Sequence, residues 1–391
     1  MKQIKLRAVF MRGGTSKAVM FRQSDLPPDR ALWDPIFLGV IGSPDPNGRQ
    51  LDGMGGGLSS LSKVCVIGPS SRADADVDYT FAQVSLRQAA VDYSGNCGNM
   101  SSAVAPFAVD EGMVAVNGSE AIVRIHNTNT GKIIVARFAM DGGLAAVDGE
   151  FVLPGVAGSG APVLLDFLDP GGAGTGRLLP TGKALDELEV AGAGIIEASM
   201  IDAASPCVFV SAQALGMTGV EMPAELETNR ELLARMEAIR VAASLRMGIA
   251  STRQEAARKP SIPKVAMVTG PKEARTLAGE IFHPAQMDLT VRMLSQEQPH
   301  RAVPLTGAMC LAVAAQIPGS LVHALARSPR SADDSVRIAQ PSGLTVVGAL
   351  VRRQNGEYRA EQATVYRTAR RLMEGTVYVR ASVLGDAAPH R

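Results

Sequence analysis

Three stretches of the chain recur in the same order at slowly growing spacings, and this repetition restricts the fold more than any other feature. Residues 16–21 (SKAVMF) resemble residues 205–210 (SPCVFV), a shift of 189 positions. Residues 63–69 (KVCVIGP) resemble residues 264–271 (KVAMVTGP), a shift of 201 positions. Residues 78–80 (DYT) resemble residues 288–290 (DLT), a shift of 210 positions. Each match is weak alone, but their common order predicts a duplicated domain.

A segment with small and apolar residues on all sides follows the third repeat in each half. In the first half it covers residues 100–112, and in the second half it covers residues 308–316. A helix that is apolar all round is buried all round. We therefore predict an α+β fold of two pseudo-symmetric domains, each a curled β-sheet or barrel around a central helix. The two helix N-termini should face one cleft, where free N–H groups favour anions.

The glycine-rich segment 171–176 (GGAGTG) marks the end of the first unit. We place the first domain at residues 1–185 and the second at residues 186–375. Residues 376–380 (TVYVR) predict a last strand, which we assign as a candidate return strand of the first domain.

Charge and cysteine content exclude several functional classes. The 391 residues carry 39 basic and 38 acidic side chains, a net charge of +1, so the composition offers no nucleic-acid surface. The four cysteines show no CxxC pair and the five histidines show no metal-ligand spacing, which predicts reduced cytoplasmic thiols and no metal site. Residues 307–326 carry no formal charge, but Pro318 and Gly319 interrupt them, so we predict a buried helix and no membrane span.

Several short motifs together resemble one enzyme family, the PrpF-type 2-methylaconitate isomerases. They are residues 11–17 (MRGGTSK), 42–46 (GSPDP), 52–56 (DGMGG), 95–99 (GNCGN), 300–302 (HRA), 317–319 (IPG), 341–343 (PSG) and 370–375 (RRLMEG). Related members act on 4-oxalomesaconate and methylitaconate, and the shared architecture is that of diaminopimelate epimerase. The resemblance implies that Lys63 and Cys97 are the catalytic pair, that no cofactor is used, and that the partner is a small polycarboxylate substrate.

The two residues also suit proton transfer on their own chemistry. Cys97 lies between glycine and asparagine residues where a buried helix begins, and a helix N-terminus stabilises a thiolate. Lys63 starts an apolar strand after a Gly/Ser-rich turn, and desolvation there favours the neutral amine of a general base. Lys264, the repeat counterpart of Lys63, follows Pro263 and lacks such a turn, so we expect it to be structural or solvated.

Polar donors are needed to hold the substrate carboxylates. Arg301 suits a bidentate clamp, although a solvated arginine is an open alternative. The candidate substrate-binding residues are Thr15, Ser16, Asn96, Gly98, Asn99, His300, Arg301, Thr306 and Gly307.

The predicted function is a cofactor-independent isomerase that shifts a C=C bond, or its cis/trans geometry, on an unsaturated di- or tricarboxylate. One alternative is a racemase or epimerase with two thiols, Cys97 and Cys310. It is weakened because the shift of 210 pairs Cys97 with Gly307 and leaves Cys310 nearly a turn into the helix. A second alternative is a catalytically silent carboxylate-binding protein. The sequence leaves open which polycarboxylate is used, the number of bases, and whether a homo-oligomer forms.

Overall fold

The structure, a computed structural model, describes residues 3–295, 298–327 and 335–382. The strands that precede residue 170 are β1 Gln3–Gly13, β2 Ser16–Arg22, β3 Lys63–Pro69, β4 Val77–Val84, β5 Val91–Asp92, β6 Glu120–Asn127, β7 Lys132–Asp141, β8 Leu144–Ala145, β9 Phe151–Val152, β10 Ser159–Gly160 and β11 Val163–Leu168. The later strands are β12 Asp186–Val190, β13 Gly194–Ala203, β14 Ser205–Ser211, β15 Lys264–Thr269, β16 Ala274–Arg275, β17 Ile281–Phe282, β18 Leu289–Ser295, β19 Gln298–Pro299, β20 Ser335–Gln340, β21 Gly343–Gln354, β22 Glu357–Arg367 and β23 Ala369–Arg380.

The α-helices are α1 Trp33–Ile41, α2 Gly98–Asp110, α3 Pro223–Thr228, α4 Arg230–Arg246, α5 Arg253–Arg258, α6 Leu305–Ala315 and α7 Leu321–Leu325. Short 3₁₀ helices cover Gln23–Asp25, Arg30–Leu32, Ser59–Leu61, Gln213–Leu215 and Pro284–Gln286. Within these described residues, no helix combines the length and the apolar character needed to cross a membrane.

The two halves use the same sequence of strand pairings. In the first half, β1–β2 is antiparallel, β2–β3 parallel, β3–β4 antiparallel, β4–β6 parallel and β6–β7 antiparallel. In the second half, β13–β14, β14–β15, β15–β18, β18–β20 and β20–β21 repeat that alternation in the same order. Each half curls around its own helix, α2 or α6, and both helices are buried along nearly their whole length. The predicted α+β fold with a central helix in each half is confirmed.

The strand register supports two of the three repeats and corrects the third. Val19 lies opposite Val64 in the first half, and Val208 lies opposite Val265 in the second, as the shifts of 189 and 201 require. The counterpart of Asp288, however, is Asp76 and not Asp78. Asp288 pairs with Arg337 in the same way as Asp76 pairs with Arg124: the aspartate N–H donates to the arginine carbonyl, and the aspartate carboxylate accepts from the arginine N–H.

The third shift is therefore 212 positions, and the predicted shift of 210 is wrong by two residues. The error arose because Asp78, and not Asp76, is followed two residues later by a threonine, as Asp288 is.

The central helices begin at residues that sequence matching did not align. Cys97 is the N-cap of α2, and Pro304 is the N-cap of α6. The counterpart of Cys97 is thus Pro304. The predicted pairing of Cys97 with Gly307 is wrong, because Gly307 lies within the first turn of α6.

The last strand closes the first half. β23 pairs antiparallel with β1 along its whole length, from Gln3 opposite Arg380 to Gly13 opposite Ala369. The return strand therefore begins at residue 369, earlier than the predicted residue 376. The preceding strand, β22, pairs with both β21 and β11 and so joins the two halves. The remaining domain limits stay a prediction.

A buried ion cluster ties the return strand to the far end of α2. The carboxylate of Glu111, which follows α2, lies 3.1 Å from Arg7, 2.8 Å from Arg22 and 2.9 Å from Arg371. These arginines belong to β1, β2 and β23. One carboxylate thus links three strands of the first half to its central helix.

Candidate active site

A small cavity of about 40 Å³ lies where the N-termini of α2 and α6 meet. The two helices approach closely there, since a Cβ added to Gly98 would lie 3.2 Å from three side-chain atoms of Leu305. The cavity is lined by Ser16, Ser59, Lys63, Phe81, Gln83, Gly95, Asn96, Cys97, Gly98, Asn99, Ser261, Lys264, His300, Pro304, Leu305 and Thr306. No acidic side chain is among these described lining residues.

Most of the predicted site residues meet in this cavity. Those that line it are Lys63, Cys97, Ser16, Asn96, Gly98, Asn99, His300 and Thr306. Thr15 and Arg301 line an adjoining cavity of about 90 Å³, which shares Ser59 and His300 with the first. Arg301 is exposed there, and its guanidinium lies 3.5 Å from the carboxylate of Glu227.

Gly307 is not among the lining residues of either cavity. A Cβ at this position would lie 2.4 Å from the Met293 sulfur, so the glycine permits close packing of α6 against β18.

The Lys63 side chain is held by a chain of oriented amide groups. Lys63 is 7% exposed, and its Nζ donates to Gln83 Oε1 at 2.5 Å. Gln83 Nε2 donates to the carbonyls of Ser59 and Ser62, both at 3.0 Å, and this fixes which end of the amide faces the lysine. The Nζ also lies 5.1 Å from the centre of the Phe81 ring.

Burial lowers the pKa of Lys63, which favours the neutral amine. Negative charge on Cys97 or Cys65 acts in the opposite direction, and the positive charge of Lys264 adds to the lowering. The surroundings of Lys63 therefore suit a general base.

Cys97 differs from the other cysteines in its exposure. It is half-buried at the N-cap of α2, whereas Cys65, Cys207 and Cys310 have no exposed surface. Burial raises the pKa of Cys65 and of Cys310. The Cys310 thiol lies 3.2 Å from the carbonyl oxygen of Ile201 in the core, and Cys310 does not line the cavity. The geometry offers no second thiol for a racemase mechanism among the residues that line the cavity.

His300 is a neutral hydrogen-bond donor in this site. Burial and the nearby charge of Lys63 lower the pKa of His300 to about 4, so the ring is uncharged at neutral pH. The backbone N–H of Ala302 donates to His300 Nδ1 at 3.1 Å, which assigns the ring proton to Nε2. The Nε2–H group is left to donate to a ligand oxygen.

Two asparagines beside Cys97 have different tasks. Asn99 donates to Thr15 Oγ1 at 3.1 Å and accepts from Arg367 Nε at 3.2 Å, so its amide positions the β1–β2 turn against α2. Asn96, in contrast, is 6% exposed, and its Oδ1 has no hydrogen-bond partner among the described residues. A buried amide oxygen without a partner favours a ligand that presents a hydrogen-bond donor.

Lys264 was expected to be structural or solvated, and the structure decides between these two alternatives. It is 8% exposed, lines the same cavity as Lys63, and donates from Nζ to Ser205 Oγ at 2.7 Å. The solvated alternative is wrong, because the side chain is buried at the start of β15, as that of Lys63 is at the start of β3. The repeat itself was the signal that pointed to Lys264. Gln83 and Ser59, which orient Lys63, carried no recognisable sequence signal.

Comparisons with known proteins extend over nearly the whole chain. The sequence profile described as PrpF protein matches residues 3–380. The chain is 42% identical to the 3-methylitaconate isomerase of Eubacterium barkeri over 98% of this chain and 99% of that protein. It is 41% identical to the 2-methyl-aconitate isomerase of Cupriavidus necator over 96% of this chain and 98% of that protein.

Solved structures agree at the level of the fold. The crystal structure of a methylitaconate-delta-isomerase, 41% identical, matches over the whole of both chains with a TM-score of 0.78. A hydroxyproline epimerase from Agrobacterium vitis, 14% identical, matches 98% of each chain with a TM-score of 0.56. The predicted epimerase-like fold is confirmed.

Proposed function

This chain belongs to the PrpF family, and from that premise we propose that it is an isomerase of small unsaturated di- or tricarboxylates that needs no cofactor. The reaction is the movement of one proton, and with it a C=C bond or its cis/trans geometry. The two relatives named above carry different substrate names at nearly equal identity. We therefore propose the substrate class and no single substrate. The first compounds to test are 3-methylitaconate and 2-methylaconitate.

One observation carries the proposal more than any other. One cavity is lined by both Lys63, whose pKa is lowered by burial, and Cys97. Two helix N-termini form part of its wall, and none of the described lining residues is acidic. Such a cavity is matched to an anionic substrate. It is also matched to the additional negative charge that develops on a carboxylate when the adjacent C–H bond breaks.

The proposed chemistry begins with the neutral amine of Lys63, which removes the allylic proton. The released electron pair spreads through the C=C bond onto the conjugated carboxylate and forms a dienolate. The Cys97 thiol returns a proton to the far carbon and becomes a thiolate, and proton transfer from the Lys63 ammonium restores both groups. Return to the original carbon after rotation about the weakened bond changes the cis/trans geometry instead.

The remaining predicted residues have binding roles in this scheme. His300 Nε2–H, the Ser16 and Thr306 side chains, and the first N–H groups of α2 and α6 supply donors for carboxylate oxygens. Asn96 lines the cavity and can donate from its amide nitrogen to a carboxylate, whereas its unpaired Oδ1 can only accept a hydrogen bond from the ligand. Thr15 and Arg301 act from the adjoining cavity; Gly307 is the exception, because it lines neither cavity and serves the packing of α6.

Proton NMR in D₂O tests the proposal directly. The protein is incubated with 3-methylitaconate, 2-methylaconitate, cis- and trans-aconitate and 4-oxalomesaconate. We expect deuterium at the allylic carbon of at least one compound together with a shifted or inverted double bond. No exchange with any of the five, in a sample that unfolds cooperatively, contradicts the proposed function.

We further propose a cytoplasmic location, supported by four cysteines that are all free thiols in the fold. The sequence left open whether a homo-oligomer forms, and light scattering coupled to size exclusion decides this by measuring the mass in solution.

A further inference from the structure

Two lysines occupy equivalent positions at the cavity. Lys63 is the first residue of β3 and Lys264 is the first residue of β15, strands that correspond in the duplicated fold. Both side chains are more than nine-tenths buried, and both line the cavity between α2 and α6. A single proton-transfer pair uses only one of them.

The two lysines have different partners. Lys63 Nζ donates to an amide oxygen and lies near an aromatic ring and the half-buried thiol. Lys264 Nζ donates to Ser205 Oγ. Among the described residues, no carboxylate lies within the 4.0 Å ion-pair distance of either ammonium.

Burying a cation without a counter-charge is costly, and a bound anion removes that cost. An ammonium has three N–H donors, and the Ser205 hydroxyl takes one of them. Lys264 also lies beside the N-terminal turn of α6, because a Cβ on Gly307 would be 3.6 Å from Lys264 Cδ. The second half thus offers a lysine and free helical N–H groups on the same wall of the cavity.

We infer that Lys264 is a substrate-binding residue whose ammonium, together with the N-terminus of α6, holds the carboxylate conjugated to the reacting double bond. This inference rests on the proposed function and assigns the two equivalent lysines different tasks: Lys63 moves the proton and Lys264 anchors the anion. As the C–H bond breaks, negative charge grows on the anchored carboxylate, and a fixed cation there lowers the barrier.

The test compares binding with turnover in three variants. Lys264→Met removes the charge and keeps the length of the chain, and Lys264→Arg keeps the charge. Lys132→Met is the matched control, because Lys132 bonds the Gly171 carbonyl outside the cavity. Calorimetry with tricarballylate, a saturated tricarboxylate that has no double bond to shift, measures binding alone. NMR measures kcat and KM with the substrate found in the D₂O screen.

We expect Lys264→Met to weaken tricarballylate binding and raise KM by about 10- to 100-fold, the range of one charge-assisted hydrogen bond. Lys264→Arg should recover part of the affinity, and Lys132→Met should match the parent protein. A fall in kcat with unchanged KM and unchanged tricarballylate affinity overturns the inference and identifies Lys264 as a second acid–base group.

The two proposals fail in different ways. If the parent protein binds tricarballylate but turns over none of the unsaturated acids, the proposed isomerase function is wrong while the anchoring role is still measured by binding. If the parent protein turns over a substrate and Lys264→Met and Lys264→Arg both bind like the parent protein, only the anchoring role is wrong. Thermal unfolding verifies that each variant is folded. If Lys264→Met is not folded, the comparison is made with Lys264→Arg.

Discussion

Lys63 is a buried lysine whose hydrogen-bond partner is an amide oxygen and not a carboxylate. A carboxylate would stabilise the ammonium, whereas Gln83 orients the amine at a much smaller electrostatic gain for the charged form. Gln83 is itself held by two backbone carbonyls, so the amine has a defined position in the cavity. The orientation of Lys63 thus comes from its cross-strand neighbour on β4, and its lowered pKa comes from burial.

Lys63→Met should lower kcat by about 10²- to 10⁴-fold, the usual contribution of a general base, while the protein stays folded. Methionine fills a similar volume without a titratable group. The measurement is the rate of deuterium exchange under saturating substrate, with Lys132→Met as the control. A folded Lys63→Met protein with near-normal turnover would remove Lys63 from the mechanism.

The pH profile should report the same residue. Since the base must be neutral, kcat/KM should rise with pH as Lys63 loses its proton, with a midpoint below the ordinary lysine pKa of 10.5. His300, whose pKa is lowered to about 4, stays neutral across this limb. The profile is measured from pH 5 to pH 10. If kcat/KM rises with pH in the same way in Lys63→Met, the rise reports the titration of another group.

Cys97 should be the first cysteine to react with iodoacetamide, because the other three thiols have no exposed surface. Peptide mass spectrometry after timed labelling gives the order, and tricarballylate should slow the reaction at Cys97 alone. Labelling of Cys310 before Cys97 would revive the two-thiol racemase.

The element that positions this chemistry is α2, whose N-terminal turn packs directly against β1. Gly13 makes this contact possible. A Cβ added there would lie 2.7 Å from the Asn99 carbonyl oxygen and 3.0 Å from Met100 Cα, both backbone atoms that cannot move independently. The helix N-terminus and the N-cap Cys97 are thereby fixed relative to the first sheet.

Gly13→Ala should therefore destabilise the protein by about 1–3 kcal/mol, as overpacking usually does, and should also reduce kcat by displacing α2. Gly348→Ala is the matched control, since a Cβ at that strand position meets no atom closer than 3.6 Å. Thermal unfolding and NMR rates are compared for both variants. Equal stability of the two would show that the α2–β1 contact adjusts without cost.

At the scale of the whole molecule, the last strand of the chain completes the sheet of the first half. β22 joins the two sheets and β23 pairs with β1 along its whole length. β23 also carries Arg371, one of the three cations around Glu111. The first barrel is consequently closed by residues more than 350 positions away from its first strand.

A chain that ends at residue 368 should not fold into a stable protein, because β1 would lose one of its two partner strands and Glu111 would lose Arg371. A chain that ends at residue 382 keeps all of β23 and serves as the control. Circular dichroism and thermal unfolding compare the two. A cooperative transition of the shorter chain near the temperature of the control would show that β23 is dispensable.

Local sequence was sufficient for the central features of the fold and the site. The all-round apolar character of two segments predicted buried central helices, because burial depends on side-chain chemistry that can be read directly. The residues around Cys97 predicted a helix start, since small residues and an N-cap are local signals. These features, with the motif resemblance, led to Lys63, Cys97 and six of the nine predicted binding residues that line the cavity.

Pairing across the sheet decided what local sequence left open. The register of β18 against β15 and β20 set the third shift at 212 positions, and the pairing of β23 with β1 began at residue 369. That Lys264 lines the cavity depended on how β15 packs beside the two central helices. Arg301 lies in the adjoining cavity, where its guanidinium is 3.5 Å from Glu227. The sequence by itself determined which segments are buried and where helices begin, since these depend on neighbouring residues. Only the tertiary structure decided which charged side chains share the cavity, because a one-residue change in register moves a side chain to the opposite face of its strand.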